Sequence, residues 1–90
     1  MIRAAFVKDP NATVDYELDW SEWLDSDAVS TSTWSAPAAL TLTGSNVTDN
    51  VTRIFVAGGS VGTDYLITNR ITSSGGRIED RSILIQVRER

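Results

Sequence analysis

Ninety residues with a net charge of −4 and neither cysteine nor histidine leave room for one domain and remove several kinds of chemistry at once. Disulfides, thiolate metal sites, histidine-based triads and ordinary zinc centres all need residues the chain lacks. The acidic balance argues against nucleic-acid binding, which needs a basic face, and no apolar run approaches the ~20 residues that span a bilayer.

The segment from Met1 to Lys8 has one early arginine and too short an apolar core for a signal peptide. It reads as an extra strand or a flexible arm ahead of a single domain over 9–90, with Phe6 as its candidate contact. Pro10 forces Asp9 into an extended conformation. Ala12 to Trp20 then alternates, with Val14, Tyr16, Leu18 and Trp20 on one face and Asp15, Glu17 and Asp19 on the other. That is the pattern of a half-buried strand.

Ser21 to Asp27 is a corner rich in side chains that bond their own backbone, with space for one helical turn. Ala28 to Trp34 is a second strand, ended by Pro37. Ala39 to Thr43 is a third, with Leu40 and Leu42 inward, and Gly44-Ser45-Asn46 reads as the turn after it. Val51 to Ala57 follows, with Ile54 and Val56 inward and Phe55 on the opposite face. Gly58-Gly59 supplies another turn, where positive φ is easily reached.

The last two strands, Thr63 to Thr72 and Ile78 to Val87, flank a Gly-containing loop and predict a hairpin. Tyr65, Ile67 and Ile71 share one face of the first, and Ile83, Ile85 and Val87 one face of the second. Pairing across the loop sets Arg70 beside Asp80 and Asn69 beside Arg81, and the charged pair helps to fix the register. Six to seven short, mostly antiparallel strands predict an all-β, immunoglobulin-like sandwich. An OB-like barrel is the alternative.

The inventory for catalysis is poor. A Ser–Lys arrangement would have to use Lys8, the only lysine. Asp15, Glu17 and Asp19 alternate as a wet strand face does, rather than as a pair of glycosidase carboxylates. Asp25 and Asp27, with Asp19 or Glu22, offer oxygen atoms to a hard cation such as calcium, but their spacing fits no EF-hand loop. No enzyme activity, metal or other cofactor is therefore expected.

The aromatic residues are more informative. Trp20 continues the inward face of its strand and belongs to the core. Trp23 lies past the strand end in the acidic corner, where core and interface are both open. Trp34 breaks the parity set by Val29, which calls for either a bulge or an outward ring. The candidate interface residues are Phe6, Trp23, Asp25, Asp27, Trp34 and Phe55. From Met1 to Asp27 seven acids face only Arg3 and Lys8, so this acidic end suits a basic partner or is simply a solvated rim.

Lys8-Asp9-Pro10, Asp15-Tyr16 and Asp19-Trp20-Ser21-x-Trp23-Leu24 open the chain in a way that resembles the phage fiber-tail adaptor family, short immunoglobulin-like proteins of tailed phages. Ser32-x-Trp34, Gly58-Gly59-x-x-Gly62-Thr63, Thr68-Asn69-Arg70-Ile71-Thr72, Gly76-Arg77 and Asp80-Arg81-Ser82 continue the likeness. One departure is Ser26-Asp27, where the family pattern has Gly-Asp. The resemblance implies a virion protein, assembled in the host cytoplasm, that joins tail fibres to the tail in several copies around the tail axis. Its implied neighbours are the fibre N-terminal region and tail-tube or nozzle subunits, with no cofactor, nucleic acid or membrane. The alternative is an immunoglobulin-like module that binds carbohydrate or another ligand on a host surface.

Overall fold

The apolar member of each alternating pair turns toward one interior, and two sheets close over it. The computed structural model describes the backbone over residues 2–89 and the side chains over residues 4–89. Met1, at the head of the expected arm, and Arg90 lie outside the described residues. In chain order the elements are β1 (Ile2–Lys8), β2 (Val14–Asp19), α1 (Ser21–Leu24), β3 (Val29–Ser35), β4 (Leu40–Thr48), β5 (Val51–Gly58), β6 (Asp64–Ser73) and β7 (Ile78–Val87).

One sheet has the order β1-β7-β6-β3 and the other β2-β5-β4. The two are separate sheets rather than one closed wall, so the sandwich forms and the OB-like barrel does not. Every neighbouring pair is antiparallel except β1 with β7, which run parallel. The segment over 2–8 is thus an edge strand laid against its own chain.

Tyr16 and Leu18 from β2, Ile54 and Val56 from β5, Tyr65, Ile67 and Ile71 from β6, and Ile83, Ile85 and Val87 from β7 are all buried. Full burial of one such aliphatic side chain contributes about 1.5–3 kcal/mol. The Tyr65 hydroxyl accepts the Ser60 N–H at 2.9 Å, as in the tyrosine corner of immunoglobulin-like sandwiches. Gly59 is needed beside it, because a Cβ there would stand 2.7 Å from Val87 Cγ2.

Two local readings change. Gly44-Ser45-Asn46 is not a turn. β4 runs on to Thr48 through a bulge between Thr43 and Asn46, and Gly44 (φ 66°) carries the left-handed residue there. The reversal falls on Asp49-Asn50 instead, with φ of 50° and 66°, the backbone of a two-residue hairpin of type I′. In β3 the register shifts between Val29 and Thr31. This bulge reverses the parity, so Trp34 turns inward.

Candidate functional site

The acidic corner hangs from a buried polar knot. Trp20, fully buried, donates from Nε1 to Asn69 Oδ1 at 3.0 Å and to Thr52 Oγ1 at 3.2 Å. The Thr52 hydroxyl donates to Asn69 Oδ1 at 2.7 Å, and Asn69 Nδ2 donates to Ser32 Oγ (2.9 Å) and the Thr33 carbonyl (3.0 Å). Asn69 thereby uses both acceptor sites and both hydrogens of its amide. The knot ties β2, β5, β6 and β3 together and fixes the exit of β2 into α1.

On that anchor α1 presents Trp23, half-buried and edge-on to Trp20 with ring centroids 5.7 Å apart. Arg77, from the loop before β7, lays its guanidinium 4.4 Å from the Trp23 ring centroid. The same side chain donates to the carbonyls of Leu24 (3.0 Å) and Trp23 (3.4 Å) and pairs with Asp27 at 3.5 Å. Arg77 therefore caps the last carbonyls of the helical turn and covers its tryptophan. Arg81 covers the Trp20 ring at 4.1 Å and donates to the Asp19 carbonyl. A shallow groove lined by Asp19, Glu22, Trp23 and Arg81 opens beside this stack.

The acids of the corner have different tasks. Asp27 accepts the N–H groups of Ala28 (2.9 Å) and Gly75 (3.0 Å), which locks the β6–β7 loop onto the corner. Hydrogen bonding, from the Ser73 side chain first and then from these amides, holds the Asp27 carboxyl below its ordinary value. Asp19 accepts the Ser21 hydroxyl (2.6 Å) and N–H (3.0 Å), and its carboxyl is lowered for the same reason. Asp25 is exposed at φ 58°, ψ −109°, a strained setting for a residue with a Cβ. Among the described residues no three acidic groups converge to hold a metal ion.

The remaining candidates are dispersed. Phe6 is 39% exposed in β1 and leans on Tyr16 of β2 with centroids 5.0 Å apart, at the seam where the two sheets meet. Phe55 lies on the outer face of the β2-β5-β4 sheet, packed on the bulge, where a Cβ on Gly44 would stand 2.9 Å from its ring. Trp34 is half-buried inside and packs against both parts of the core, so the outward ring is not what forms. Arg70 and Asp80 pair as expected, at 2.7 Å across β6 and β7. Lys8 is 1% exposed and spends its ammonium on the Asp9 and Gly58 carbonyls, both at 2.8 Å. Burial lowers its pKa, opposed by the nearby Asp9 charge.

The model of the podophage GP4 fiber-tail adaptor protein gp77 family matches residues 8–86. The chain belongs to this family. No curated protein sequence matches the adaptor significantly. Among solved structures, the solution structure of the PKD domain from KIAA 1837 protein aligns with a TM-score of 0.59, covering 99% of this chain and 82% of that one. At 16% identity that likeness shows the immunoglobulin-like fold alone.

The residues that carry the resemblance are largely those that hold the corner. Trp20 and Asn69 form the knot, Asp19 and Ser21 turn the chain into α1, and Arg77 and Arg81 cover the two tryptophans. The departure at Ser26-Asp27 is harmless to the backbone, because the left-handed step falls on Asp25 and not on Ser26. Reading the sequence by strand missed Arg77 and Arg81 as partners of the tryptophans. Each stacks on a ring more than fifty positions away, which no local pattern encodes. The one available signal was register: Arg81 opposite Asn69 is brought next to whatever Asn69 binds.

Proposed function

We propose that this adaptor joins tail fibres to the phage tail through protein–protein contacts alone, as a rigid spacer that catalyses no reaction. The fibre N-terminal region contacts one surface and a tail-tube or nozzle subunit another, in several copies around the tail axis of the virion, after assembly in the host cytoplasm. The family assignment over residues 8–86 carries the reading. The corner supports it: Trp23 is held at the surface by Arg77 and Trp20, and Asp25 stands exposed beside it. A rigid aromatic with a charged rim is the usual anchor of an interface. Phe6 at the seam and Phe55 on the outer sheet are further contact candidates on other surfaces. Trp34, inside the sandwich, is not offered as one.

The test is capture of purified fibre and tail subunits of the same phage by the adaptor, with Trp23→Ala alongside. Capture of at least one subunit, weakened about tenfold or more by Trp23→Ala in a variant that still unfolds cooperatively, is the expected result. Capture of none by a folded adaptor overturns the function. Capture unaffected by the substitution removes the corner from it.

A further inference from the structure

The charges of this chain are unevenly placed on its free edges. Among the described residues four strands have an open side: β1 and β3 in one sheet, β2 and β4 in the other. An open edge displays unpaired N–H and C=O groups, and proteins protect such edges with charged side chains, prolines or short strands. β2 has Asp15, Glu17 and Asp19, and β1 has Pro10 just beyond its end. No charged residue occurs between Asp27 and Asp49, a stretch that contains all of β3 and β4. One side of the sandwich thus has no charged side chain along its edges, where Pro37 and a bulge in each strand are the other defences present.

The two uncharged strands differ. Both are bulged, β3 between Val29 and Thr31 and β4 between Thr43 and Asn46, and two of the β3 hydroxyls are engaged within the fold, Ser32 by the Asn69 amide and Thr33 with the Arg70 carbonyl. β4 is the longer, with nine residues, and every residue from Thr43 to Thr48 is exposed. Asp49-Asn50 is a two-residue turn, so the closing pair Thr48–Val51 is hydrogen-bonded and the next pair, Val47–Thr52, is not. The N–H and C=O of Val47 consequently point away from β5, beside a side chain that is 41% exposed.

Resting on the adaptor reading above, we propose that β4 is the edge that receives a partner: an extended, uncharged segment of a fibre or tail subunit adds to it as a further strand. Main-chain hydrogen bonds supply the affinity in such an addition, and a charge-free strand loses no ionic hydration when covered. The neighbouring surface specifies what flanks that segment. A groove on the outer face of the sheet reaches β4 at Asn46 and Thr48 and contains Glu17, Asp19 and Asp49 against Arg53 alone. Arg53 is already engaged by Glu17 at 2.7 Å and faces Asp15 at 3.8 Å. The excess is negative, so the partner strand carries a basic residue where it leaves the uncharged stretch. A second copy of the adaptor suits the site less well, since it would bring another Asp49 and a net charge of −4 toward the same acids.

Overlapping 15-residue synthetic peptides spanning the fibre and tail subunits of the same phage provide the probe, read by titration and by amide hydrogen exchange of the full adaptor. The expected result is binding of a peptide with an uncharged extended stretch and a flanking Lys or Arg, with slowed exchange in residues 41–48. Val47→Pro, which deletes the outward N–H, weakens that binding at least tenfold, while Val47→Ala, which keeps it, changes it less than threefold. Thermal unfolding of both variants checks that each is folded, and exchange in the unsubstituted adaptor reports the binding site even if Val47→Pro is not. Protection confined to β1, β3 or the α1 corner overturns the proposal and leaves the adaptor function standing, as does capture of whole subunits without binding of any peptide. Self-association that protects β4 overturns it in favour of a second copy. Capture of no subunit in any form removes the adaptor reading and the strand addition together.

Discussion

Replacing Asn69 by alanine tests the polar knot that anchors the corner. The substitution removes the nearer of two acceptors of the Thr52 hydroxyl (2.7 Å, against 3.5 Å to the Leu18 carbonyl) and one of two acceptors of Trp20 Nε1, and it strips donors from Ser32 Oγ and the Thr33 carbonyl. Thr52 and Trp20 are fully buried, so water cannot easily replace what they lose. A buried group left unsatisfied costs about 1–3 kcal/mol. Trp20 keeps Thr52 Oγ1 at 3.2 Å, and the two β3 groups are only partly buried, so the sum is about 3–4 kcal/mol once a small void is included. A domain of this size has a total stability on the order of 5–13 kcal/mol, so the loss is a large part of it. With a urea slope of about 1 kcal/mol/M, the unfolding midpoint falls by roughly 3 M. Equilibrium unfolding in urea, followed by tryptophan fluorescence, measures it directly. A loss below about 1 kcal/mol would refute the reasoning, because it would mean that the knot's members find other partners without cost.

Two further outcomes follow from the same corner. Asp25→Gly relieves a strained backbone setting (φ 58°, ψ −109°) at a small penalty in unfolded-state entropy, and raises stability by about 1 kcal/mol. That corresponds to about 4–8 °C in Tm, and an unchanged or lower Tm in a thermal melt counts against the strain. The second concerns acid. The carboxyls of Asp19, Asp27 and Asp80 are all held below their ordinary value, Asp80 chiefly by its hydrogen bond from Arg70. Their folded pKa values therefore lie below the unfolded ones, so they stabilise the fold fully above the ordinary carboxylate range, about pH 4, and progressively less as pH falls through the folded values. Asp27→Asn cannot titrate at this position, and its urea midpoint between pH 2 and pH 7 varies less steeply than that of the unsubstituted protein. Equal slopes would show that Asp27 plays no part in acid unfolding.

Much of the sandwich is legible in alternation, because a period of two is what a sheet with one buried face requires. The β6–β7 hairpin was readable to the residue: Arg70 meets Asp80 and Asn69 meets Arg81. The parity break at Trp34 leaves a bulge or an outward ring open, and the bulge in β3 is what forms. Gly44-Ser45-Asn46 misled because glycine followed by small polar residues serves a bulge as well as it serves a turn. Asp49-Asn50, with both residues at positive φ, was the stronger hairpin signal. Other features depend on long-range partners that no local pattern names. Nothing near Lys8 in the sequence names Gly58, which supplies a carbonyl for it across the fold, and nothing near Arg77 or Arg81 names the tryptophans that the hairpin carries them over.

The parallel pairing of β1 with β7 has a consequence for how the molecule is made. During synthesis β1 leaves the ribosome before the other described strands and its partner β7 leaves after them. β1 must therefore wait, undocked, until β7 has emerged. Its sheet is completed only by the pairing of greatest sequence separation in the molecule, which is the slowest kind to form. A nascent chain stalled before Ile78 has no place for β1 to go. The sandwich thus closes only once β7 has emerged, and β1 is the last strand to be seated.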